Sequence, residues 1–237
     1  MALTRLDKLL ADSGLYSRSE ARALIRAGRV GADGAVVRQP EAKLDPGSAR
    51  ITVDGEAICC VSKRCLMLYK PAGVLSATED ARQRTVLDLL PPEYRKMGLF
   101  PVGRLDKDTT GLLLLTNDGD LAHRVISPKM HVPKVYRAEV DGTLDESDRA
   151  AFAEGIVLGD GTRCLPARLE LLAPDVGRVT VYEGKYHQVK RMFAARGKHV
   201  TALHRASIGA LALDENMAPG DFREMLPEEL EAIFKEI

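Results

Sequence analysis

A run of four leucines, Leu112–Leu115, constrains the fold of this chain more than any other feature. The run follows Gly111 and ends at the turn-forming sequence Asn117-Asp118-Gly119, so it predicts a short buried strand. It is also far shorter than the roughly 18 apolar residues of a membrane-spanning helix. The first 14 residues carry charges where a signal peptide needs its apolar region. We therefore expect a soluble, cytoplasmic protein that does not interact with membranes.

The N-terminal residues predict a helical hairpin. The spacing of apolar residues indicates a first helix over residues 4–12, ended by Gly14. A capping-box pattern from Ser17 to Glu20 begins a second helix, which ends at Gly28. The apolar side chains expected to pack together are Leu6, Leu9, Leu10, Ala21, Leu24 and Ile25.

Positive charge and tight turns complete this N-terminal part. One side of the second helix is predicted to carry arginines at three- and four-residue steps, namely Arg18, Arg22, Arg26 and Arg29. Pairs typical of hairpin turns follow at Asp33-Gly34, Pro46-Gly47 and Asp54-Gly55. Together these features predict a compact domain over residues 1–60 with a basic stripe on its surface.

The rest of the chain predicts a second, larger domain over residues 65–237, after a linker at about residues 59–65. Strands are predicted at Cys65–Lys70, Val135–Val140, Arg168–Ala173 and Arg178–Glu183. Helices are predicted at Val86–Leu90, Asp120–Ile126, Asp145–Gly155 and Tyr186–Arg196, the last with Val189, Met192 and Phe193 as core residues. Because strands and helices do not alternate regularly, we expect an α+β fold with a mainly antiparallel mixed sheet.

Charge and cysteine content limit the partners of the chain. The whole chain has 34 basic and 34 acidic residues, but Gly184–Arg205 contains six Lys or Arg and no acid, whereas Leu211–Ile237 is acidic. Such a basic segment attracts polyanions such as nucleic acid, and it is also consistent with a solvated helix face. The cysteines form no metal-ligand pattern, so we expect no metal site and buried thiols at Cys59, Cys60, Cys65 and Cys164.

The tetrapeptide Arg-Leu-Asp-Lys occurs twice, at Arg5–Lys8 and at Arg104–Lys107. In the first copy Asp7 lies in the first turn of a predicted helix, where a carboxylate complements the helix dipole. In the second copy Asp106 lies on a loop that leads into the leucine strand. A rigid position of this kind at the surface suits a catalytic carboxylate.

Four strings in the second domain, in this order, resemble the pseudouridine synthases of the small-subunit ribosomal RNA type, the RsuA-like group. They are LMLYKPAGVLSAT, PVGRLDKDTTGLLLLTNDGDL, PKVYRAEVDG and EGKYHQVKRMFAARGKHVTALHRASIGALAL. Residues 3–58 resemble an S4-type RNA-binding domain. The resemblance implies a synthase core with a central cleft, which isomerises one uridine of ribosomal RNA, most closely of the 16S type. The partner is then either this RNA or a small-subunit assembly intermediate. The alternatives are a synthase for large-subunit (23S) RNA and a non-catalytic S4-type RNA-binding or ribosome-assembly factor.

The resemblance also implies roles for individual residues. Asp106 matches the catalytic aspartate of the family, Tyr136 its active-site tyrosine and Lys190 the basic partner of the aspartate. Arg104 matches the arginine beside that acid, which is implicated in holding the extruded nucleotide. Many related synthases have arginine at the Lys190 position, so bidentate geometry is not assumed for Lys190.

These residue types suit the chemistry. An ionised carboxylate can attack C1′ of the uridine or remove the C2′ proton, and a nearby cation favours its charged form. A tyrosine supplies a flat face for the uracil and a hydroxyl for proton transfer while the detached ring turns and rejoins through C5. The reaction needs no redox step, energy coupling or metal, so we expect no cofactor.

The target uridine must also be flipped out of folded RNA, which requires a basic wall that holds the RNA backbone. Besides Arg104 and the four N-terminal arginines, the predicted RNA contacts are Lys134, Lys185, His187, Arg191 and Arg205. The chain has no tryptophan and only 5% aromatic residues, which argues against broad base-stacking surfaces. We expect a monomer that recognises RNA by shape, phosphate contacts and one flipped base.

Overall fold

The computed structural model describes residues 3–13, 15–46, 48–58, 63–95 and 97–235. The chain divides into two compact units. The first comprises Met1–Arg64, Leu87–Phe100 and Thr116–Asp118, and the second comprises Cys65–Val86, Pro101–Leu115 and Gly119–Ile237. The predicted helix end at Gly14, the Pro46-Gly47 turn, and Cys59 and Cys60 in the predicted linker lie wholly or partly outside the described residues.

The first unit contains short strands and three helices among its described residues. In chain order these are β1 (Thr4–Arg5), α1 (Leu6–Asp12), α2 (Arg18–Arg26), β2 (Val30–Ala32), β3 (Ala35–Val36), β4 (Lys43–Leu44), β5 (Ile51–Val53), β6 (Glu56–Ile58) and, further along the chain, α3 (Pro92–Arg95). Strands β3, β2, β5 and β6 form an antiparallel sheet in that order, and β1 pairs with β4. The side chains of its core are Leu6, Leu9, Leu10, Ala21, Ile25, Val30, Ile51 and Val53.

Local signals in the sequence place these elements. The Ser17 hydroxyl accepts a hydrogen bond from the Glu20 amide at 3.2 Å, and the Glu20 carboxylate accepts one from the Ser17 amide at 2.6 Å. The predicted capping box is therefore confirmed. The predicted turns at Asp33-Gly34 and Asp54-Gly55 are also confirmed, with positive φ at both residues of each pair, as a type I′ hairpin turn requires.

Asp7 does more than complement a helix dipole. Its side chain is fully buried, where it accepts hydrogen bonds from Arg5 and Arg22 at 2.9 to 3.0 Å, and Arg18 lies 3.7 Å away. Burial alone would raise the pKa of Asp7, but the bonds from Arg5 and Arg22 outweigh it and lower the pKa to about 2. The carboxylate thus ties the two helices of the hairpin together.

The remaining strands and helices follow one another along the rest of the chain. They are β7 (Cys65–Lys70), β8 (Phe100–Pro101), β9 (Thr110–Thr116), α4 (Gly119–Ile126), β10 (Lys134–Val140), α5 (Glu146–Glu154), β11 (Arg168–Ala173), β12 (Val176–Val181), α6 (Gln188–Ala195), β13 (Val200–Ile208), β14 (Leu211–Ala212), β15 (Phe222–Glu224) and α7 (Pro227–Ala232). Short 3-10 helices occur at Val86–Leu89 and Pro128–Met130. Within the part of the chain that the structure describes, no helix is long and apolar enough to span a bilayer.

A nine-stranded mixed sheet dominates this part of the described chain. Its order is β11-β12-β10-β13-β9-β7-β15, with β14 paired to β13 and β8 paired to β9. Most of its pairs are antiparallel, whereas β13 and β9 run parallel. The predicted α+β class with a mainly antiparallel mixed sheet is confirmed. The leucines of β9 are completely buried, as predicted.

Several elements differ from the predictions. The first helix begins at Leu6 and not at residue 4, because Thr4 and Arg5 pair with Leu44 and Lys43 as a strand. The helix predicted at Val86–Leu90 is a short 3-10 helix over Val86–Leu89. Strand β12 begins two residues earlier than predicted, because Val176 pairs with Ala173 directly across a tight hairpin. Helix α6 begins two residues later than predicted, because His187 has φ +48° and lies in the left-handed region outside the helix. The predicted core residues of α6 are buried, and Phe193 packs on Phe152 with ring centroids 4.9 Å apart.

Candidate active site

Asp106 lies in the loop that precedes β9, and the backbone of this loop is tightly held. The fully buried Lys70, at the end of β7, donates hydrogen bonds through Nζ to the carbonyls of Pro71, Lys107 and Thr109 at 2.9 to 3.1 Å. The Ser76 hydroxyl donates to the Leu105 carbonyl at 2.8 Å and accepts from its amide at 3.0 Å. Contacts on both sides of Asp106 therefore fix the backbone from which its side chain extends.

Lys70 is a functional candidate that no motif in the sequence identifies. Burial lowers its pKa to about 8, although the negative charges of Asp108 and Asp106 oppose that fall. The available signal is a lysine at the end of an otherwise apolar strand, Cys65–Lys70. A lysine is almost never fully buried unless it is paired, so its place in this strand indicates a specific structural task.

The two carboxylate oxygens of Asp106 each face a different basic group. Oδ1 is 3.3 Å from Nε2 of His187, and Oδ2 is 3.4 Å from Nζ of Lys190. The same Nζ lies closer to Oδ1 of Asp108, at 2.5 Å, and this hydrogen bond is the main cause of the lowered pKa of Asp108. The structure thus brings Lys190 to Asp106, as the sequence predicts, but shares it with a second acid.

A pocket surrounds Asp106 in the second unit. Its polar and aromatic lining includes Arg104, Thr109, Tyr136, Lys185 and His187. Tyr136 is half-buried on β10, while Arg104 is exposed at the pocket. Four of the predicted site residues therefore share one pocket with Asp106.

Arg205 on β13 is the cross-strand partner of Tyr136 on β10. Its Nε donates to the Leu112 carbonyl at 2.7 Å, and its Nη1 is 3.5 Å from the Tyr136 hydroxyl. The side chain is buried, and its Nη2 has no hydrogen-bond partner among the described residues. Lys134 is also buried, with its amine 3.3 Å from the Val125 carbonyl, and burial lowers its pKa to about 8.

Most charges of the basic segment Gly184–Arg205 are paired with acids. Arg196 and Lys198 both contact the buried Asp148, and Arg191 contacts Asp160. Lys190 contacts Asp106 and Asp108 in the loop before β9. The complete pairs are Lys185–Glu183, Lys190–Asp106, Lys190–Asp108, Arg191–Asp160, Arg196–Asp148 and Lys198–Asp148. The local charge of this segment is therefore largely offset by acids from elsewhere in the second unit.

The four arginines of the predicted N-terminal stripe are all exposed, but they differ in their partners. Arg18 and Arg22 form ion pairs with Asp7, and Arg29 forms a bidentate ion pair with Asp54. The side chain of Arg26 has no ion pair among the described residues. Their contacts with RNA stay predictions, as do those of Lys134, Lys185, His187, Arg191 and Arg205.

Comparison with known proteins decides the family. The family model for RNA pseudouridylate synthase matches residues 64–195, and the S4 domain model matches residues 4–49. This chain belongs to the RNA pseudouridylate synthase family. It is 47% identical to the uncharacterized RNA pseudouridine synthase YtzG of Bacillus subtilis, covering 95% of this chain and 96% of that protein.

Other members of this synthase family are similar over nearly their whole length. The chain is 42% identical to the ribosomal small subunit pseudouridine synthase A of Salmonella typhimurium, over 97% of this chain and 99% of that protein. It is 41% identical to the protein of the same name from Escherichia coli, over 97% and 99%. A crystal structure of a pseudouridylate synthase superposes with a TM-score of 0.68 at 38% identity, over 97% and 99% of the two chains.

The arrangement around Asp106 suits the chemistry of the synthase family. The pocket holds an acid between two basic side chains and beside a tyrosine, which are the types that glycosidic-bond cleavage and proton transfer require. Among the described residues, no group of three or more His, Cys, Asp or Glu side chains is placed to hold a metal ion.

Proposed function

We propose that this protein isomerises one uridine of the small-subunit (16S) ribosomal RNA to pseudouridine. The observation that carries the proposal is the position of Asp106, which lies between His187 and Lys190 in a pocket that Tyr136 also lines. The choice of RNA is supported by relatives that are named as small-subunit synthases and align over nearly the whole of this chain.

Asp106 is the catalytic carboxylate in this proposal, acting either as nucleophile at C1′ or as base at C2′. Lys190 orients the carboxylate, because its Nζ lies 3.4 Å from Oδ2. Tyr136 offers its ring to the uracil and its hydroxyl to proton transfer. Arg104, exposed at the pocket, contacts the flipped nucleotide.

The N-terminal domain, residues 1–60, binds RNA in this proposal, and residues 65–237 carry the catalytic reaction. The S4 match over residues 4–49 and the exposed arginines of α2 support the first assignment. We propose that the protein acts as a monomer in the cytoplasm. The pocket residues named above all come from one unit of a single chain, which supports a site complete without a partner.

Reverse-transcription mapping of carbodiimide-treated ribosomal RNA tests the proposal. Small-subunit RNA from cells with the gene should show one stop that is absent without the gene, and the Asp106→Asn variant should not restore it. A gene-dependent stop in large-subunit RNA instead would refute the choice of substrate. No gene-dependent stop in either RNA would indicate a non-catalytic RNA-binding or assembly protein.

A further inference from the structure

Tyr186 is the most exposed large apolar side chain among the described residues, at 76%. Its ring stacks on that of the neighbouring His187, with centroids 3.8 Å apart and an angle of 18° between the planes. One face of the tyrosine is therefore covered, and an exposure this high leaves the other face open to solvent. An aromatic side chain in this position offers a flat surface to a ligand.

The turn that carries Tyr186 is braced at several points. The Gln188 side chain accepts a hydrogen bond from the Lys185 amide at 2.9 Å and donates one to the buried Glu183 carboxylate at 2.9 Å. Arg191, which also contacts Asp160, donates to the Tyr186 carbonyl at 3.3 Å. The exposed ring thus lies on a fixed piece of backbone, so little conformational entropy is lost when a ligand binds to it.

His187 connects this surface to the reaction centre. Its Nε2 is 3.3 Å from Oδ1 of Asp106, and its backbone adopts φ +48°, a conformation that costs free energy for a residue with a side chain. This unfavourable backbone conformation of His187 thus occurs at the residue whose imidazole contacts both the Tyr186 ring and the Asp106 carboxylate. A ligand on the open face of Tyr186 is therefore separated from the His187 imidazole, which contacts Asp106, only by the Tyr186 ring.

We infer that Tyr186, backed by His187, is a stacking surface for the nucleobase next to the target uridine, so that the site binds two nucleotides of the RNA. The inference rests on the proposed function. A uridine that leaves the RNA stack exposes the faces of its neighbours, and an aromatic ring beside the pocket replaces one of the lost contacts. The low aromatic content of the chain predicts no broad stacking surface, and one ring at this position is enough for one base.

A base is favoured over a phosphate as the occupant. The basic groups around the turn are already paired, because Lys185 contacts Glu183 and Arg191 contacts Asp160. What remains open is an uncharged aromatic face. A nucleobase of any type can stack on such a face, so the surface should tolerate changes of the neighbouring base but not its removal.

Binding to a short synthetic RNA that contains the mapped uridine tests the inference. All proteins carry Asp106→Asn, so that the bound RNA is not converted during the measurement. Tyr186→Ala should weaken binding of intact RNA by roughly 5- to 150-fold, the range expected for one base–aromatic stack. Tyr186→Phe should bind like the parent protein, because it keeps the ring. Tyr182→Ala is the matched control, since Tyr182 is exposed in the same unit but does not line the Asp106 pocket.

RNAs that lack one base identify the occupant. Two further RNAs carry an abasic site either directly before or directly after the target uridine. On one of them Tyr186→Ala should no longer weaken binding, while on the other it should weaken binding as on intact RNA. Equal weakening on all three RNAs, an unchanged affinity for intact RNA, or a Tyr186→Phe defect as large as that of Tyr186→Ala would each overturn the inference.

The outcomes for the inference and for the proposed function are separable. If mapping finds no gene-dependent pseudouridine, the proposed function fails. If mapping succeeds and Tyr186→Ala affects only binding to ribosomal particles, and not to naked RNA, the surface contacts a protein and the stacking inference is refuted.

Discussion

Replacing Lys70 by methionine tests how the catalytic loop is held in place. The substitution keeps the length and much of the volume of a side chain that is fully buried, but it removes the amine. The carbonyls of Pro71, Lys107 and Thr109 then lose the donor that fixes them at 2.9 to 3.1 Å. The loop that carries Asp106 should become both less stable and less well positioned.

Two opposing terms set the size of the effect on stability. Each buried acceptor left without any donor costs about 1–3 kcal/mol. This applies to the carbonyls of Pro71 and Thr109, whereas the Lys107 carbonyl still accepts a hydrogen bond from the Gly73 amide at 2.7 Å. In the wild type, however, burial lowers the pKa of Lys70 from 10.5 to about 8. That fall in pKa corresponds to a cost of about 3 kcal/mol for burying the charged amine in the wild type. The methionine variant does not have this cost. The free energy of unfolding should therefore fall by about 1 kcal/mol at neutral pH.

The pH dependence has a definite sign. Between about pH 8 and pH 10.5 the amine of Lys70 is protonated in the unfolded chain and largely neutral in the folded chain. Because the unfolded state binds more protons in this window, the stability of the wild type rises with pH relative to Lys70→Met. The gap between the two proteins should widen by up to about 3 kcal/mol as the pH rises from 7 through this window.

Urea unfolding followed by far-ultraviolet circular dichroism at pH 7, 8, 9 and 10 measures both quantities. Lys107→Met is the matched control, because that lysine lies in the same loop but is exposed, with its amine bonded to the Gln83 side chain. The control should shift stability by less than about 0.5 kcal/mol. Turnover of Lys70→Met should drop by about 10²-fold, as expected for a misplaced catalytic group. A stability gap that is independent of pH, or a variant with normal turnover, would refute the reasoning.

Five further substitutions, in three experiments, test the site and the N-terminal unit. Asp106→Asn should abolish pseudouridine formation while RNA affinity in filter binding stays within several-fold, and residual turnover above about 1% would remove Asp106 from its central role. Lys190→Met should lower the single-turnover rate more than RNA affinity, and equal losses of rate and affinity would indicate a phosphate contact instead. Asp108→Asn removes the charge of the closer acid that contacts Lys190, and it should change the single-turnover rate only within several-fold. Arg26→Gln should weaken RNA binding and reduce the salt dependence of binding by about one, without changing stability. Arg22→Gln should also destabilise the protein, because it removes a hydrogen bond from the buried Asp7 carboxylate. An unchanged salt dependence for Arg26→Gln would exclude that residue from the RNA contact.

Features that depend on a few neighbouring residues are predictable from the sequence. The capping box at Ser17, the hairpin turn at Asp33-Gly34 and the strand Cys65–Lys70 all occur where the sequence predicts them. Their causes are local, since a side chain three residues away or a glycine with positive φ is enough to decide them. The resemblance likewise predicts that Asp106 and Lys190 meet, although 84 residues separate them along the chain.

Tertiary contacts decide what the local pattern leaves open. The burial of Lys70 depends on carbonyls in the loop of Asp106, and the neutralisation of Arg196 depends on Asp148 in another helix. Lys190 is shared with Asp108, because its Nζ lies 2.5 Å from Oδ1 of that residue. No periodicity in the sequence specifies this contact. Each of these outcomes joins residues far apart in sequence, where propensity gives no information.

The repeated tetrapeptide Arg-Leu-Asp-Lys shows this division most clearly. The sequence predicts that Asp7 lies in the first turn of a helix and that Asp106 lies on a loop before a buried strand. Only the tertiary structure surrounds Asp7 with Arg5, Arg18 and Arg22 and buries it completely, while it leaves Asp106 accessible in a pocket between His187 and Lys190. Arg5 belongs to the tetrapeptide itself, but the burial of Asp7 and its contacts with Arg18 and Arg22 depend on groups that folding brings to the carboxylate. Identical neighbours in sequence cannot supply these.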